Sequence, residues 1–137
     1  MGEHFELKVD GRLENLPALI DFVIASLKKM RVSDECAFDV QLAVDEIATN
    51  IIKYAYKDKS GPIWAELRLD GDRVVAIIRD EGRPFDPTRA PAPDLGRDLE
   101  HRQVGGLGIY LAKQVMGSIH YSYSGGRNVL TMTRPVR

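Results

Sequence analysis

An acidic residue and an amide lie four positions apart in the segment Leu42–Tyr56, which reads LAVDEIATNIIKYAY. Apolar residues recur at helical spacing through this region and predict an amphipathic helix with one buried face: Val40, Val44, Ile47 and Ile51. Glu46 and Asn50 then fall one turn apart on a neighbouring face, from which both side chains can reach one object. A carboxylate and an amide suit a hydrated divalent cation and the water or hydroxyl beside it. Two polar residues on a solvated helix flank are the alternative.

A second candidate, Asp80, lies where a strand rich in β-branched residues is expected to end and a turn to begin. An ionised carboxylate only accepts hydrogen bonds, so Asp80 suits the exocyclic amine of an adenine. Gly82 in the turn would allow the backbone to approach a flat ligand and close its pocket. The alternative is an ordinary turn after a strand, because Asp and Gly are common turn residues.

Three glycines, Gly105, Gly106 and Gly108, lead into a helical pattern of apolar residues that begins at Leu107. Free N–H groups and the positive end of the helix dipole favour phosphate at a helix N-terminus, and glycine lets the phosphate come close. The segment matches neither the Walker-type loop nor the GxGxxG spacing of dinucleotide folds. A flexible hinge is the alternative.

The order of these segments is more specific than any one of them: Glu-x-x-x-Asn, then Asp-x-Gly-x-Pro-Phe-Asp, then Gly-Gly-Leu-Gly. This order resembles the N-box, G1 box and G2 box of the GHKL, or Bergerat-fold, ATPases. Within that superfamily the chain is similar to the stand-alone serine kinases that act as anti-sigma factors and phosphorylate anti-sigma-factor antagonists. The similarity extends from about Phe5 to Thr133 and includes the tail 126–133, GRNVLTMT.

The resemblance implies transfer of the γ-phosphoryl group of ATP to a serine or threonine hydroxyl of a partner protein. Glu46 would be the general base, Asn50 would coordinate Mg²⁺, and Asp80 would select adenine with Gly82 closing the pocket. The phosphates would be bound by the glycine-rich helix start: Gly105, Gly106, Leu107 and Gly108. The partners would be an anti-sigma-factor antagonist and a sigma factor, and the chain would form a homodimer.

The segment 86–104 has no convincing periodicity and contains Pro87, Pro91, Pro93 and Gly96. A loop of this length in a compact domain is usually either functional or disordered. The resemblance identifies it as an ATP lid, from which Arg97 or Arg102 would contact the terminal phosphate. The sequence does not choose between these arginines, and two solvated arginines are the alternative.

The chain departs from the family pattern at Tyr54, where many relatives have a histidine one turn beyond the Asn. By the resemblance, this change would alter the surroundings of the phosphate or metal without abolishing nucleotide binding. A nucleotide-dependent binding module, which sequesters a sigma factor or another regulator without phosphorylating it, is therefore the alternative function. The ATPase domain of a sensor histidine kinase is less consistent with the sequence, because no phospho-acceptor histidine segment precedes the first predicted strand.

Composition supports one globular domain over residues 1–137 and gives no electrostatic case for nucleic-acid or membrane binding. The formal net charge is −1, from 19 basic and 20 acidic residues interspersed along the chain. The longest apolar stretch, Leu16–Leu27, contains Asp21 and is too short to span a bilayer, so a cytoplasmic protein is expected. Cys36, the single cysteine, is expected to be a buried apolar residue, and the three histidines are too scattered for a zinc site.

The predicted order of elements is β, α, α, β, β, lid, α, β, β. Asn15 and Ser33 are expected to cap the first and second helices. The hairpin signals Asp70-Gly71 and Gly125-Gly126 each join two strands. This order predicts an α+β fold, a two-layer α/β sandwich with a mainly antiparallel mixed sheet covered on one face by three helices.

Overall fold

The computed structural model describes residues 3–57, 59–89 and 106–137. Three α-helices and five strands follow in the predicted order: β1 His4–Asp10, α1 Leu16–Met30, α2 Asp34–Asn50, β2 Pro62–Asp70, β3 Arg73–Asp80, α3 Gly106–Val115, β4 Ser118–Ser124 and β5 Arg127–Pro135. Short 3₁₀ turns cover Leu13–Asn15 and Pro87–Arg89, and a π-helical turn covers Ile51–Ala55. Within the described parts of the chain, no helix has both the length and the apolar character needed to cross a membrane.

The five strands form one sheet in the order β1-β2-β3-β5-β4, and every neighbouring pair is antiparallel. Helices α1 and α2 contact the sheet, and α2 also packs against α1 and α3. The predicted α+β sandwich is therefore confirmed. The strands that the structure describes contain no parallel pair, so the sheet is more uniform than the expected mixed one.

Side chains alternate across the sheet, because successive residues of a strand point to opposite faces. In β2, Ile63, Ala65 and Leu67 are all within the core, whereas Trp64 and Arg68 lie on the opposite face. The core joins these residues to the inner faces of the helices. The four apolar residues predicted to form the buried face of α2 are confirmed, since each is 0–6% exposed: Val40, Val44, Ile47 and Ile51.

One of the two predicted helix caps is confirmed and the other is wrong. Ser33 accepts a hydrogen bond from the backbone N–H of Cys36 at 3.1 Å, and Cys36 itself is fully buried as expected. Asn15 precedes α1 but does not cap it, because the preceding 3₁₀ turn already gives Asn15 a helical backbone conformation. Its side-chain amide instead donates to the carbonyl oxygen of Asp10 at 2.9 Å and ties the end of β1 to α1.

Glu66 is a nearly buried carboxylate on the sheet face that the helices leave uncovered. It accepts hydrogen bonds from Nη1 of Arg79 at 3.0 Å and from Nε2 of His4 at 2.8 Å. Burial acts to raise the pKa of Glu66, but the hydrogen bonds and positive charges of these two partners outweigh it and lower the pKa below its ordinary value. Glu66 therefore holds three strands together in its ionised form.

We expect Glu66→Gln to lower the free energy of unfolding at neutral pH by about 1.5–3 kcal/mol, the usual range for a hydrogen bond to a charged group. Because the folded-state pKa lies below the unfolded-state value, ionised Glu66 stabilises the fold fully above the unfolded-state pKa. This stabilisation is lost as pH falls through the folded-state pKa. Urea unfolding of the wild type and variant between neutral and acidic pH measures the effect.

Glu6→Gln is the matched control, since Glu6 lies 3.3 Å from the same histidine but its side chain is 64% exposed. Its substitution should change the free energy of unfolding by less than about 0.5 kcal/mol. A stability difference between wild type and Glu66→Gln that is equal at neutral and acidic pH would contradict the assigned role of the ionised carboxylate.

Candidate active site

Glu46 and Asn50 lie one turn apart at the end of α2, as the sequence predicts. The side-chain amide of Asn50 donates to the backbone carbonyl oxygen of Glu46 at 2.8 Å, and Asn50 is only 5% exposed. This hydrogen bond fixes the orientation of the amide and leaves its Oδ1 atom as the one suited to accept from, or coordinate, a ligand.

A π-helical turn, Ile51–Ala55, follows Asn50 directly and was not predicted from the sequence. It is closed by a hydrogen bond from the N–H of Tyr56 to the carbonyl oxygen of Ile51 at 3.0 Å. Arg83 binds the end of this turn twice, through its Nε atom to Tyr54 O at 2.9 Å and through its N–H to Ala55 O at 3.1 Å. Single π-helical turns occur frequently at functional sites. Here the turn connects the α2 end to the loop after Asp80.

Gly82 packs against the backbone at the end of the π-helical turn. A Cβ atom at this position would lie 2.7 Å from both the carbonyl carbon and the oxygen of Ala55, closer than real Cβ atoms approach. Glycine is therefore required because the turn after β3 packs directly on the backbone at the end of the π-helical turn. In the structure, glycine at this position allows the close approach of the chain's own backbone at Ala55.

Tyr56 completes the link between these elements. Its hydroxyl donates to the carbonyl oxygen of Pro62 at 2.5 Å and accepts from the N–H of Glu81 at 2.7 Å. Burial is the largest cause that raises the pKa of Tyr56, to about 12, so the hydroxyl keeps its proton and remains a donor. The loop after β3 is thus attached to the start of β2 as well as to α2.

Asp80 is the last residue of β3, as predicted, and is 2% exposed. Its Oδ1 atom accepts two hydrogen bonds at 2.9 Å, from the N–H of Gly82 and from Nδ2 of Asn128. Burial raises the pKa of Asp80, and these two donors oppose the rise. Among the residues that the structure describes, both donors bind Oδ1, so Oδ2 retains its capacity to accept a hydrogen bond from a ligand.

Asp80 and Asn50 line one small cavity of about 20 Å³. Its other walls are mostly apolar: Ile47, Ile51, Ala55, Ile78, Phe85, Pro87, Tyr121, Asn128 and Leu130. Apolar walls with a few convergent polar groups are typical of small-molecule sites. The volume is near that of a single water molecule. The cavity must therefore enlarge before a purine can enter.

The carboxylate of Glu46 lies against the first turn of α3. A Cβ atom at Gly108 would overlap Oε2 of Glu46, so only glycine leaves room for the carboxylate in this position. Burial, followed by the negative charge of Asp45, raises the pKa of Glu46, and the charge of Lys53 opposes the rise. A partly buried carboxylate with a raised pKa is a candidate general base.

Part of the predicted phosphate site lies outside the described residues: Arg97, Arg102 and Gly105. Gly106 and Leu107 are the first residues of α3. The start of the predicted lid, 86–89, is described. There Lys113 of α3 donates to Thr88 O at 2.7 Å, and Oδ1 of Asp86 accepts from the N–H of Thr88 at 2.8 Å. The first residues of this segment are therefore attached to α3.

Asn128 is a site residue that the sequence analysis did not single out. The pairing of β3 with β5 sets it directly opposite Asp80. A signal was present, because Asn128 shares the inward-facing positions of β5 with Leu130 and Met132. An amide in an otherwise apolar alternating pattern indicates a buried polar group that needs partners.

The residues around this cavity belong to a known class of domain. Residues 9–134 match the family described as histidine kinase-like ATPase domain, HATPase_c_2, and the chain belongs to this family. It is 31% identical to serine-protein kinase RsbW from Bacillus cereus (strain ATCC 10987 / NRS 248), in a match that covers 98% of this chain and 86% of the relative. RsbW from Bacillus thuringiensis subsp. konkukian (strain 97-27) is equally similar, with the same coverage.

A solved structure shows the same fold. The RsbU and RsbW domains of Rv1364c from Mycobacterium tuberculosis match with a TM-score of 0.69 at 16% identity, over 97% of this chain. This chain spans only 32% of that larger protein. The predicted family is confirmed by these similarities, and the relatives of nearly equal length support serine/threonine kinase activity.

We expect Gly108→Ala to displace the Glu46 carboxylate with little effect on stability. The overlapping atom is the end of a flexible side chain, which can swing aside. Alanine favours a helix over glycine by about 1 kcal/mol, so the free energy of unfolding should change by no more than about that amount. The pKa of Glu46 should fall toward its ordinary value because burial, its largest perturbation, is relieved. Urea unfolding and NMR titration of the carboxyl carbon measure both quantities.

Asp45→Asn is the control for this experiment, because it lowers the pKa of Glu46 by removing a charge rather than by moving the carboxylate. Salt at about 1 M should weaken the Asp45→Asn effect by screening and leave the Gly108→Ala effect in place. An unchanged Glu46 pKa in Gly108→Ala would argue against the close packing of Glu46 on α3.

Proposed function

We propose that this chain is an ATP-dependent serine/threonine-protein kinase that acts as an anti-sigma factor and phosphorylates an anti-sigma-factor antagonist. The observation that supports this most is the convergence of Asn50 and Asp80 on one cavity, with Glu46 one turn before Asn50 and its carboxylate against the first turn of α3. The chain belongs to an ATPase family, and its 31%-identical relatives are named serine-protein kinases.

In this proposal Asp80 selects adenine. Its Oδ2 atom accepts a hydrogen bond from the exocyclic amine, and Gly82 holds the adjacent turn against α2. The purine occupies the apolar cavity after its walls move apart. The α3 N-terminus, with Gly105, Gly106, Leu107 and Gly108, receives the phosphates because its N–H groups and dipole favour an anion. The segment 86–104 is the proposed lid, with Arg97 or Arg102 on the terminal phosphate.

The end of α2 fits a Mg²⁺ ion by the chemistry of its donors. Asn50 offers an oriented amide oxygen with its nitrogen already occupied, and Mg²⁺ prefers oxygen ligands. When bound, the ion would neutralise phosphate charge. Asn50 would hold it on the side of α2 that faces the cavity.

Glu46 is the proposed general base, which accepts the proton of the attacking serine or threonine hydroxyl. Its raised pKa brings it nearer to the working pH and makes it a better proton acceptor than an exposed glutamate. Asp45 is adjacent in sequence but points about 100° away around α2. Tyr54 replaces the histidine that many relatives have, and its ring centroid lies 6.4 Å from that of Phe85. It therefore lies beside Phe85, which lines the cavity.

The proposed partners are an anti-sigma-factor antagonist as substrate and a sigma factor as the sequestered protein, in a partner-switching circuit. Phosphorylation of the antagonist would release the chain to bind the sigma factor. We propose that it acts in the cytoplasm, where its substrate ATP is found. The domain is proposed to comprise residues 1–137.

Incubation with Mg-ATP and antagonist-like proteins encoded near its gene should add one phosphate to a serine or threonine of one of them, as read by intact mass. Glu46→Gln should reduce this rate by about 10²–10⁴-fold, the usual contribution of a positioned base. Its ATP affinity should remain close to wild type, because Glu46 does not line the adenine cavity. Asp45→Asn is the control and should retain most of the rate.

The outcome separates the alternatives. ATP binding and complex formation without a phosphoprotein would support a nucleotide-dependent binding module. An acid-labile phosphate would indicate phosphohistidine and a histidine kinase. Equal rates of phosphate transfer for the wild type and Glu46→Gln would show that Glu46 is not the general base.

We also propose that the chain forms a homodimer through the sheet face opposite the helices. A two-layer sandwich leaves this face without a covering layer. It carries Trp64 and the partly buried Val129 beside the Glu66 ion pairs. Light scattering should give about twice the chain mass of 15.3 kDa, and Val129→Lys should shift it to the monomer because it charges this face. Ile24→Lys, on the exposed side of α1, is the control. A monomeric wild type would contradict the proposal.

A further inference from the structure

Asn128 makes an unusual number of hydrogen bonds for one buried side chain. Its Nδ2 atom donates to Oδ1 of Asp80 and to the carbonyl oxygen of Arg83, both at 2.9 Å. Its Oδ1 atom accepts from the N–H of Phe85 at 3.0 Å and from the hydroxyl of Tyr121 at 2.5 Å. The side chain is 4% exposed, so these contacts use the capacity of the amide within the protein.

These contacts divide into two groups with different consequences. The donors act on Asp80 and on the turn that follows it, whereas the acceptor holds the backbone of Phe85, which lines the cavity. Without Asn128, the N–H of Gly82 would be the one donor left to Asp80 among the described residues, and one hydrogen bond does not fix the plane of a carboxylate. Two donors on Oδ1 fix that plane and determine where Oδ2 lies.

We propose that Asn128 is a positioning residue that sets the base preference of the nucleotide site. It holds the Asp80 carboxylate so that an acceptor faces the 6-position of the purine, which favours a 6-amino purine over a 6-oxo purine. The inference rests on the proposed function, since it concerns the same nucleotide site.

The chemistry of the two bases explains the preference. Adenine presents an amino donor at this position and hypoxanthine presents a carbonyl acceptor, which would face the carboxylate without a shared proton. A buried polar group left unpaired in this way rejects the wrong ligand strongly. A loosely held Asp80 can rotate away from the carbonyl. Loss of the Asn128 donor would also remove one of the two hydrogen bonds that oppose the raised pKa of Asp80, so a protonated, donating carboxyl would become easier to form.

Calorimetric titration with ATP and ITP tests this inference. The wild type should prefer ATP. Asn128→Leu, of similar size but without hydrogen-bonding atoms, should weaken ATP binding by about 10- to 150-fold, the loss expected for a hydrogen bond to a charged group. ITP binding should change much less, so the ATP-to-ITP preference should fall. Asp80→Asn is the reference for a site that has lost the carboxylate.

Tyr121→Phe is the matched control, because it removes a partner of Asn128 Oδ1 and leaves the bond to Asp80 in place. Its ATP-to-ITP preference should match that of the wild type, whatever its absolute affinity. If thermal unfolding shows that Asn128→Leu does not fold, Asn128→Ser, which is smaller and polar but too short to reach Asp80, replaces it.

The outcomes distinguish this inference from the function on which it rests. Equal weakening of ATP and ITP in the Asn128 variant would mean a purely structural role and overturn the inference alone. A fall in preference in Tyr121→Phe as large as that in Asn128→Leu would also overturn it. A wild type that binds neither nucleotide would overturn the proposed function and this inference together.

Discussion

The buried carboxylate of Asp80 is the constraint on which the candidate site depends. An ionised group that is 2% exposed is costly unless donors surround it, and two of its donors come from different parts of the chain. Gly82 reaches it because the turn after β3 is tight, and Asn128 reaches it because β5 pairs with β3 in one register. A slip of one residue in that register would turn Asn128 to the opposite face of the sheet. The β3–β5 register that the folded sheet adopts is therefore also the register that assembles the site.

The loop after Asp80 is fixed from several sides, which makes the site more rigid than its loop position implies. Arg83 binds two carbonyl groups near the π-helical end of α2, and Tyr56 joins the N–H of Glu81 to Pro62. Gly82 packs on Ala55 at a distance that excludes any other residue. Preorganisation of this kind reduces the ordering that a ligand must impose, because the binding groups are already in position.

Much of this architecture could be predicted from local pattern. The alternation of apolar and polar residues predicted the strands, and the helical spacing of apolar residues predicted the buried face of α2. The sequence also predicted the Ser33 cap correctly. The wrong cap at Asn15 shows the limit, since a 3₁₀ turn of three residues changed which atoms its side chain can reach. The π-helical turn has no periodic signal. The partnership of Asp80 with Asn128 joins residues 48 positions apart, and only the sheet register makes it visible. The roles assigned to the site residues remain predictions.

The cavity beside Asp80 places a further physical demand on ligand binding. At about 20 Å³ it admits no purine until its walls move apart. The N–H of Phe85 is held by Asn128, and the next turn is held to α3 by Lys113 through Thr88. A movement of the backbone at these residues would break these hydrogen bonds. The apparent affinity for a nucleotide is the intrinsic affinity multiplied by the fraction of molecules whose cavity is large enough to admit the nucleotide. Asn128 thus holds both the Asp80 carboxylate and the backbone at Phe85, so one side chain fixes two walls of the cavity.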